Sequence, residues 1–101
     1  MRVVEDVAAL YNVTVEDLNG KSRRDAVCTA REMCWLYLYE ELEIHTEDIG
    51  IMFNRHRTTI IWGINRMRNL IAFHRETREK WSWVRRSGIS IFPYPSPVPV
   101  V

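Results

Sequence analysis

Apolar residues recur at helical spacing in successive stretches of the chain. Val3, Val4, Val7, Ala8, Leu10 and Tyr11 keep steps of one, three and four, which predicts a first helix ending near Asn12. Thr14 stands three residues before Asp17 as a weak capping-box pair for a single turn reaching Leu18, and Asn19-Gly20 is a strong stop. A long helix over residues 25–43 follows, with Val27, Ala30, Met33, Cys34, Tyr37, Leu38 and Leu42 on its core face. Thr46 then suits the N-cap of a short helix whose first turn carries Glu47 and Asp48, where the helix dipole favours negative charge. Ile49, Met52 and Phe53 share one face of it, and residues 54–56 interrupt the pattern. Ile60, Ile64, Met67 and Ile71 mark the buried stripe of a further amphipathic helix. Helix formers Arg75, Glu76, Arg78, Glu79 and Lys80 carry that helix past His74 to about Trp83 without a break. Ser87-Gly88 ends it, and the alternating Pro93, Pro95, Pro97 and Pro99 exclude helix and favour an extended, loosely packed tail. Only residues 89–92 hint at strand alternation.

The polar side of the 46–71 unit differs in kind from its apolar stripe. Arg57, Thr58, Thr59, Asn65, Arg66 and Arg68 are hydrogen-bonding side chains, and the first three sit at the amino end of the second helix. A short helix joined by a tight break to a longer one so decorated reads as a helix-turn-helix that presents its second helix to the major groove. Expected, then, is an all-α small helical bundle of one domain over residues 1–86, with a Pro-rich tail over 87–101.

The formal net charge of +1 hides a segregation along the chain. Residues 1–20 carry one basic and four acidic groups, 21–31 four and one, 32–48 none and six, and 55–86 nine and two. Two basic blocks flank an acidic one, which serves a basic binding surface and ordinary solvated helix faces equally well. Lys21, Arg23 and Arg24 crowd beside an Asn-Gly turn; a solvated loop is the plain account, and reach into a narrow minor groove the sharper one. Glu40, Glu41 and Glu43 are expected in solvent, keeping that end away from phosphate. Trp35 and Tyr37 suit the core, whereas Trp62 lies off the apolar stripe, where it can touch a thymine methyl or a sugar edge.

Other chemistries find no support. No run of about eighteen apolar residues and no signal peptide occurs, so a cytoplasmic, nucleoid-associated protein off the membrane is expected. Cys28 and Cys34 lie six apart without a C-x-x-C, as buried free thiols do. His45, His56 and His74 show no ligand spacing, and neither a catalytic triad nor a glycine-rich phosphate loop is present. No metal, cofactor, nucleotide or enzymatic activity is expected.

Over residues 7–70 the chain resembles the carboxy-terminal DNA-binding domain of the bacterial replication initiator DnaA. The resemblance is carried by K-S-R-R-D-A-V-C-T-A-R-E-M from residue 21, D-I-G-I-M-F from residue 48 and T-T-I-I from residue 58. It implies a Trp-repressor-like helix-turn-helix that binds short duplex boxes. On that resemblance Arg23 enters the minor groove, Lys21 and Arg31 lie near the DNA backbone, and Thr58 and Thr59 face major-groove bases and phosphate. Ile49, Gly50 and Phe53 pack inside the motif. The DNA-contacting set is then Lys21, Arg23, Arg24, Arg31, His56, Arg57, Thr58, Thr59, Trp62 and Arg66.

Two departures from the family pattern stand out. Before the two threonines the usual Asp-His pair is replaced by His56-Arg57, with a turn one residue shorter, which changes the preferred sequence because arginine donates to guanine where aspartate accepts from cytosine. No ATPase domain precedes the unit, so ATP-driven origin assembly is not expected of this chain; an excised domain and a stand-alone regulator both fit. The runner-up is a protein-interaction module on the same fold. Residues from Ile71 on lie outside the resemblance and suit a partner-binding appendage. Gly63, one turn beyond Thr59, stands where the family carries a small residue. Close approach of a helix or of DNA is the expected reason, with Gly63→Ala slightly stabilising and Gly63→Leu overpacked.

Overall fold

The computed structural model describes the backbone of residues 2–89 and the side chains of residues 4–86. The described residues form six helices and no strand: α1 Arg2–Leu10, α2 Val15–Asn19, α3 Asp25–Glu40, α4 Thr46–Phe53, α5 Arg57–Phe73 and α6 Arg75–Ile89. The expected all-α bundle is present. The side chain of Val3 and residues 90–101, with the four prolines, lie outside the described residues, as does the strand hint apart from Ile89, which is helical at the end of α6. Among the described residues no helix is long and apolar enough to cross a membrane.

Local signals explain most boundaries. Asn12 takes the left-handed conformation at φ 59° to end α1, with Val13 N–H donating to Ala8 O. Thr14 caps α2 in a full capping box: Asp17 N–H donates to Thr14 Oγ1 at 3.0 Å, and Thr14 N–H to Asp17 Oδ2 at 3.2 Å. Thr46 is not the cap of α4. His45 holds that position without a side-chain bond, and the Thr46 hydroxyl instead accepts from Arg57 Nε at 3.3 Å.

Helix α3 is the axis of the molecule. From Ala30 to Leu38 every residue is buried, so the one-sided face expected for it gives way to burial all round. Trp35 and Tyr37 are in the core as expected. Leu42 is not, being 47% exposed: the helix stops at Glu40, Glu43 turns left-handed at φ 55°, and Ile44 N–H returns to Leu38 O, so Ile44 packs against the core in its place. Met52 likewise faces outward, at 44% exposed, while Ile49 and Phe53 are buried. Glu40 and Glu41 are not simply solvated, since they pair with Arg68 and Arg85.

The continuous helix through His74 is also corrected. His74 adopts an extended conformation at φ −121° and ψ 113°, and Arg78 donates from Nε and Nη2 to the freed carbonyls of Ile71 and Ala72. A straight helix would carry Trp81 about 15 Å past Ile71, away from the core. The break turns α6 back onto α1, α3 and α5 instead. Val84 is fully buried, Trp81 is 8% exposed and meets the Tyr37 ring edge-on at 6.4 Å, and Lys80 lies over the Tyr11 ring. Helix α6 is therefore part of the core rather than an appendage, and its backbone runs through Ser87 and Gly88, which do not end it.

Candidate nucleic-acid interface

The turn between α4 and α5 is built on backbone contacts that only certain residues allow. Arg55 N–H donates to Gly50 O at 2.7 Å, and a Cβ on Gly50 would sit 2.5 Å from the Arg55 carbonyl oxygen. Gly50 is thus needed for close approach. Asn54 supplies the left-handed turn at φ 56° and ψ 50°, a conformation asparagine tolerates. His56 is the N-cap of α5, its Nδ1 accepting from Thr58 N–H at 3.2 Å.

On the inner side of α5, Ile60, Gly63, Ile64 and Met67 are buried. A Cβ on Gly63 would lie 2.6 Å from Cε3 and Cζ3 of Trp35 and 3.1 Å from Glu32 Cγ, so the close neighbour is α3 and not DNA. The expected gain from alanine is corrected accordingly: the Trp35 ring is buried, meets Phe53 edge-on at 6.1 Å, and has little room to give. Glu32 is itself buried and pairs with Arg66; burial raises its pKa against the pull of Arg66 and Arg31. Arg68 is spent similarly, on Glu40 and over the Tyr39 ring.

The outer side carries Arg57, Thr58, Thr59 and Trp62, all exposed, Trp62 at 65%. Arg57 is tethered by its Nε to Thr46, which leaves both terminal amino groups of the guanidinium to reach outward. Residues 21–24 cross from α2 to α3 without regular structure. Lys21 and Arg23 are exposed and meet no partner among the described residues; Arg24 pairs with Asp17 Oδ2 at 3.1 Å.

Arg31 departs from its expected place at the DNA backbone. It is 5% exposed, with Nε donating to Leu18 O and Nη2 to the carbonyls of Asp17, Gly20 and Ser22. Nε and Nη2 are used inside the fold, where they shape the loop that carries Lys21 and Arg23. Arg55 went unnoticed in the sequence and does related work: Nη1 donates to Phe53 O at 3.0 Å and Nη2 to Gly20 O. No local pattern marks either arginine, because the carbonyls of residues 17–22 that they serve are distant in sequence; only the Arg55 bond to Phe53 O is local.

The structure thus brings the cationic loop and the head of α5 each to the surface, with a helix-turn-helix between α4 and α5. Residues 1–67 match the family model described as the bacterial DnaA protein helix-turn-helix. The chain belongs to that family. It is similar to the chromosomal replication initiator protein DnaA of Clavibacter sepedonicus, 36% identical over 75 residues that make 72% of this chain and 16% of the relative. The DnaA of Leptospira biflexa is 33% identical over 65% of this chain and 15% of its own length, and that of Tropheryma whipplei 32% over 76% and 16%. The chain therefore corresponds to a small part of these relatives.

Proposed function

We propose that this DnaA-type helix-turn-helix binds duplex DNA sequence-specifically, in a box-recognition role resembling that of replication initiation or its regulation. The head of α5 enters the major groove and the 21–24 loop the minor groove. The observation that carries this reading is the exposed run of Arg57, Thr58, Thr59 and Trp62 at the head of α5, of which, among the described residues, Arg57 alone makes a side-chain hydrogen bond, to Thr46. Lys21, Arg23 and Arg24 supply the second contact, Arg23 to an A·T-rich minor groove and Lys21 to phosphate.

The bases preferred follow from donors. Because His56 Nδ1 accepts from Thr58, the neutral ring carries its proton on Nε2. His56 and Arg57 then both offer donors where the usual Asp-His pair offers an acceptor, which favours guanine edges. Selection of bound sequences from a random duplex library tests this: a box with guanine opposite this turn supports it, and enrichment of no sequence overturns it.

Binding is also expected to be salt-steep. Lys21, Arg23 and Arg57, which meet no carboxylate among the described residues, would neutralise about three phosphate charges, giving a slope of log affinity against log salt of about −3. Arg24, Arg66 and Arg68 are left out of that number, being paired with Asp17, Glu32 and Glu40. A flat salt profile favours a protein-interaction module on the same fold.

A further inference from the structure

Residues 20–24 have no helix or strand to hold them, yet on the proposed reading they must sit at a fixed distance from the head of α5. Arg31 ties the loop to α3, through the carbonyls of Asp17, Leu18, Gly20 and Ser22. That fixes the loop to the bundle but not to the turn. The hydrogen bond that crosses from the turn to the loop is made by Arg55, whose Nη2 donates to Gly20 O, 35 residues away in sequence. Its other amino group is anchored on Phe53 O, the last carbonyl of α4, which α4 itself leaves without a helical partner.

Two guanidinium groups therefore converge on the Gly20 carbonyl. Among the described residues neither Arg31 nor Arg55 meets a carboxylate within ion-pair distance. Burial lowers the pKa of Arg55, and the neighbouring charge of Arg31 lowers it further. Placing two like charges side by side at a half-buried point costs stability, and a plain loop anchor would need only one of them. The second cation adds the link between turn and loop.

We infer that Arg55 is a positioning residue, a two-headed strut that sets the spacing between the minor-groove loop and the recognition helix. This rests on the duplex-binding reading. The strut works through geometry rather than charge: one planar fork must reach Phe53 O and Gly20 O at once, which a lysine ammonium on a flexible stem does not reproduce. With the strut, the loop and α5 meet a duplex as one body. Without it, engaging the second groove carries the ordering cost of the loop.

The test uses the whole chain and a box selected with the parent. Arg55→Lys and Arg55→Gln are each combined with Arg23→Ala, with folding followed by circular dichroism and the α5 contact by guanine-N7 methylation interference. In both Arg55 variants the major-groove interference is expected to persist while minor-groove interference at the loop flank fades. The cost of Arg23→Ala should fall by about threefold or more relative to the parent background, a coupling within the range of residues joined in one network. Full rescue by Arg55→Lys, or an Arg23→Ala cost unchanged in a folded Arg55 variant, overturns the strut. If Arg55→Gln does not fold, the Arg55→Lys cycle decides alone; if neither folds, Arg55 is a folding residue and the strut is overturned. A parent that selects no duplex overturns the binding reading and this inference with it, whereas a parent that selects a box while the cycle shows no coupling overturns only the inference.

Discussion

The inner seam of the helix-turn-helix and its outer face draw on the same residue types and use them oppositely. Along the seam and beneath the loop, charge is consumed: Arg31 and Arg55 on carbonyls, Arg66 on Glu32, Arg68 on Glu40. On the outside, Lys21 and Arg23 meet no partner among the described residues, and Arg57 is exposed with only its Nε bonded there. Counting cations therefore overstates the surface available to a polyanion. Glycine follows the same division, since Gly50 and Gly63 both lie on the seam, where a single methyl group has no room.

The largest effects should come from filling the seam. In Gly50→Ala the new methyl would press on a backbone carbonyl, which cannot rotate aside, so the turn itself must shift. A loss of about 2–4 kcal/mol in urea unfolding is expected, at the upper end of overpacking costs. Gly63→Ala presses on the Trp35 ring instead, and the gain of about 1 kcal/mol in helix propensity offsets part of it, leaving a net loss of about 1–2 kcal/mol. If Gly63→Ala melts above the parent, the α3–α5 distance is wrong.

Changes on the outer face should do the reverse, leaving stability alone and altering recognition. Arg57→Ala is expected to cost about 1–3 kcal/mol of affinity for the selected box and to relax preference at one base pair. Arg23→Ala should weaken binding most at A·T-rich flanks, where the minor groove is narrow. Thermal melts of both should coincide with the parent. Equal loss on every sequence from both changes would reduce them to phosphate contacts and erase the distinction between loop and helix.

What the sequence disclosed follows the same division. Local signals were legible: the Thr14–Asp17 capping box, the Ile60, Ile64 and Met67 stripe, the burial of Trp35 and Tyr37, and the outward threonines of α5. Features set by distant segments were not. Arg31 reads as a surface cation until the α2 carbonyls close around it, and residues 70–80 contain neither glycine nor proline to announce the break at His74. That break answers to the tertiary need to bury Trp81 and Val84 against α1 and α3, which helix propensity does not encode.

The smallest effect expected is a pair of opposite pH dependences, one on each side of the comparison. Asp17, under the loop, accepts from Thr14 N–H and from Arg24; the Thr14 backbone bond above all, then its hydroxyl, Arg24 and Arg31, hold its pKa below the ordinary 3.8. A carboxylate with a depressed folded pKa contributes stability that is present above its unfolded value and lost as pH falls through the folded one. Asp17→Asn should therefore flatten the acid limb of the stability curve below about pH 4. Glu32, in the seam, has its pKa raised above 4.5 by burial, which outweighs the Arg66 hydrogen bond. Its contribution has the opposite sense: it is most favourable below the unfolded value and declines as pH rises through the folded one. Glu32→Gln should remove that decline while keeping a neutral hydrogen bond to Arg66. Urea unfolding between about pH 3 and 7 reads both. If the two variants change the curve in the same direction, either Glu32 is more solvated than its burial beside Trp35 implies, or Asp17 has no cap to lose.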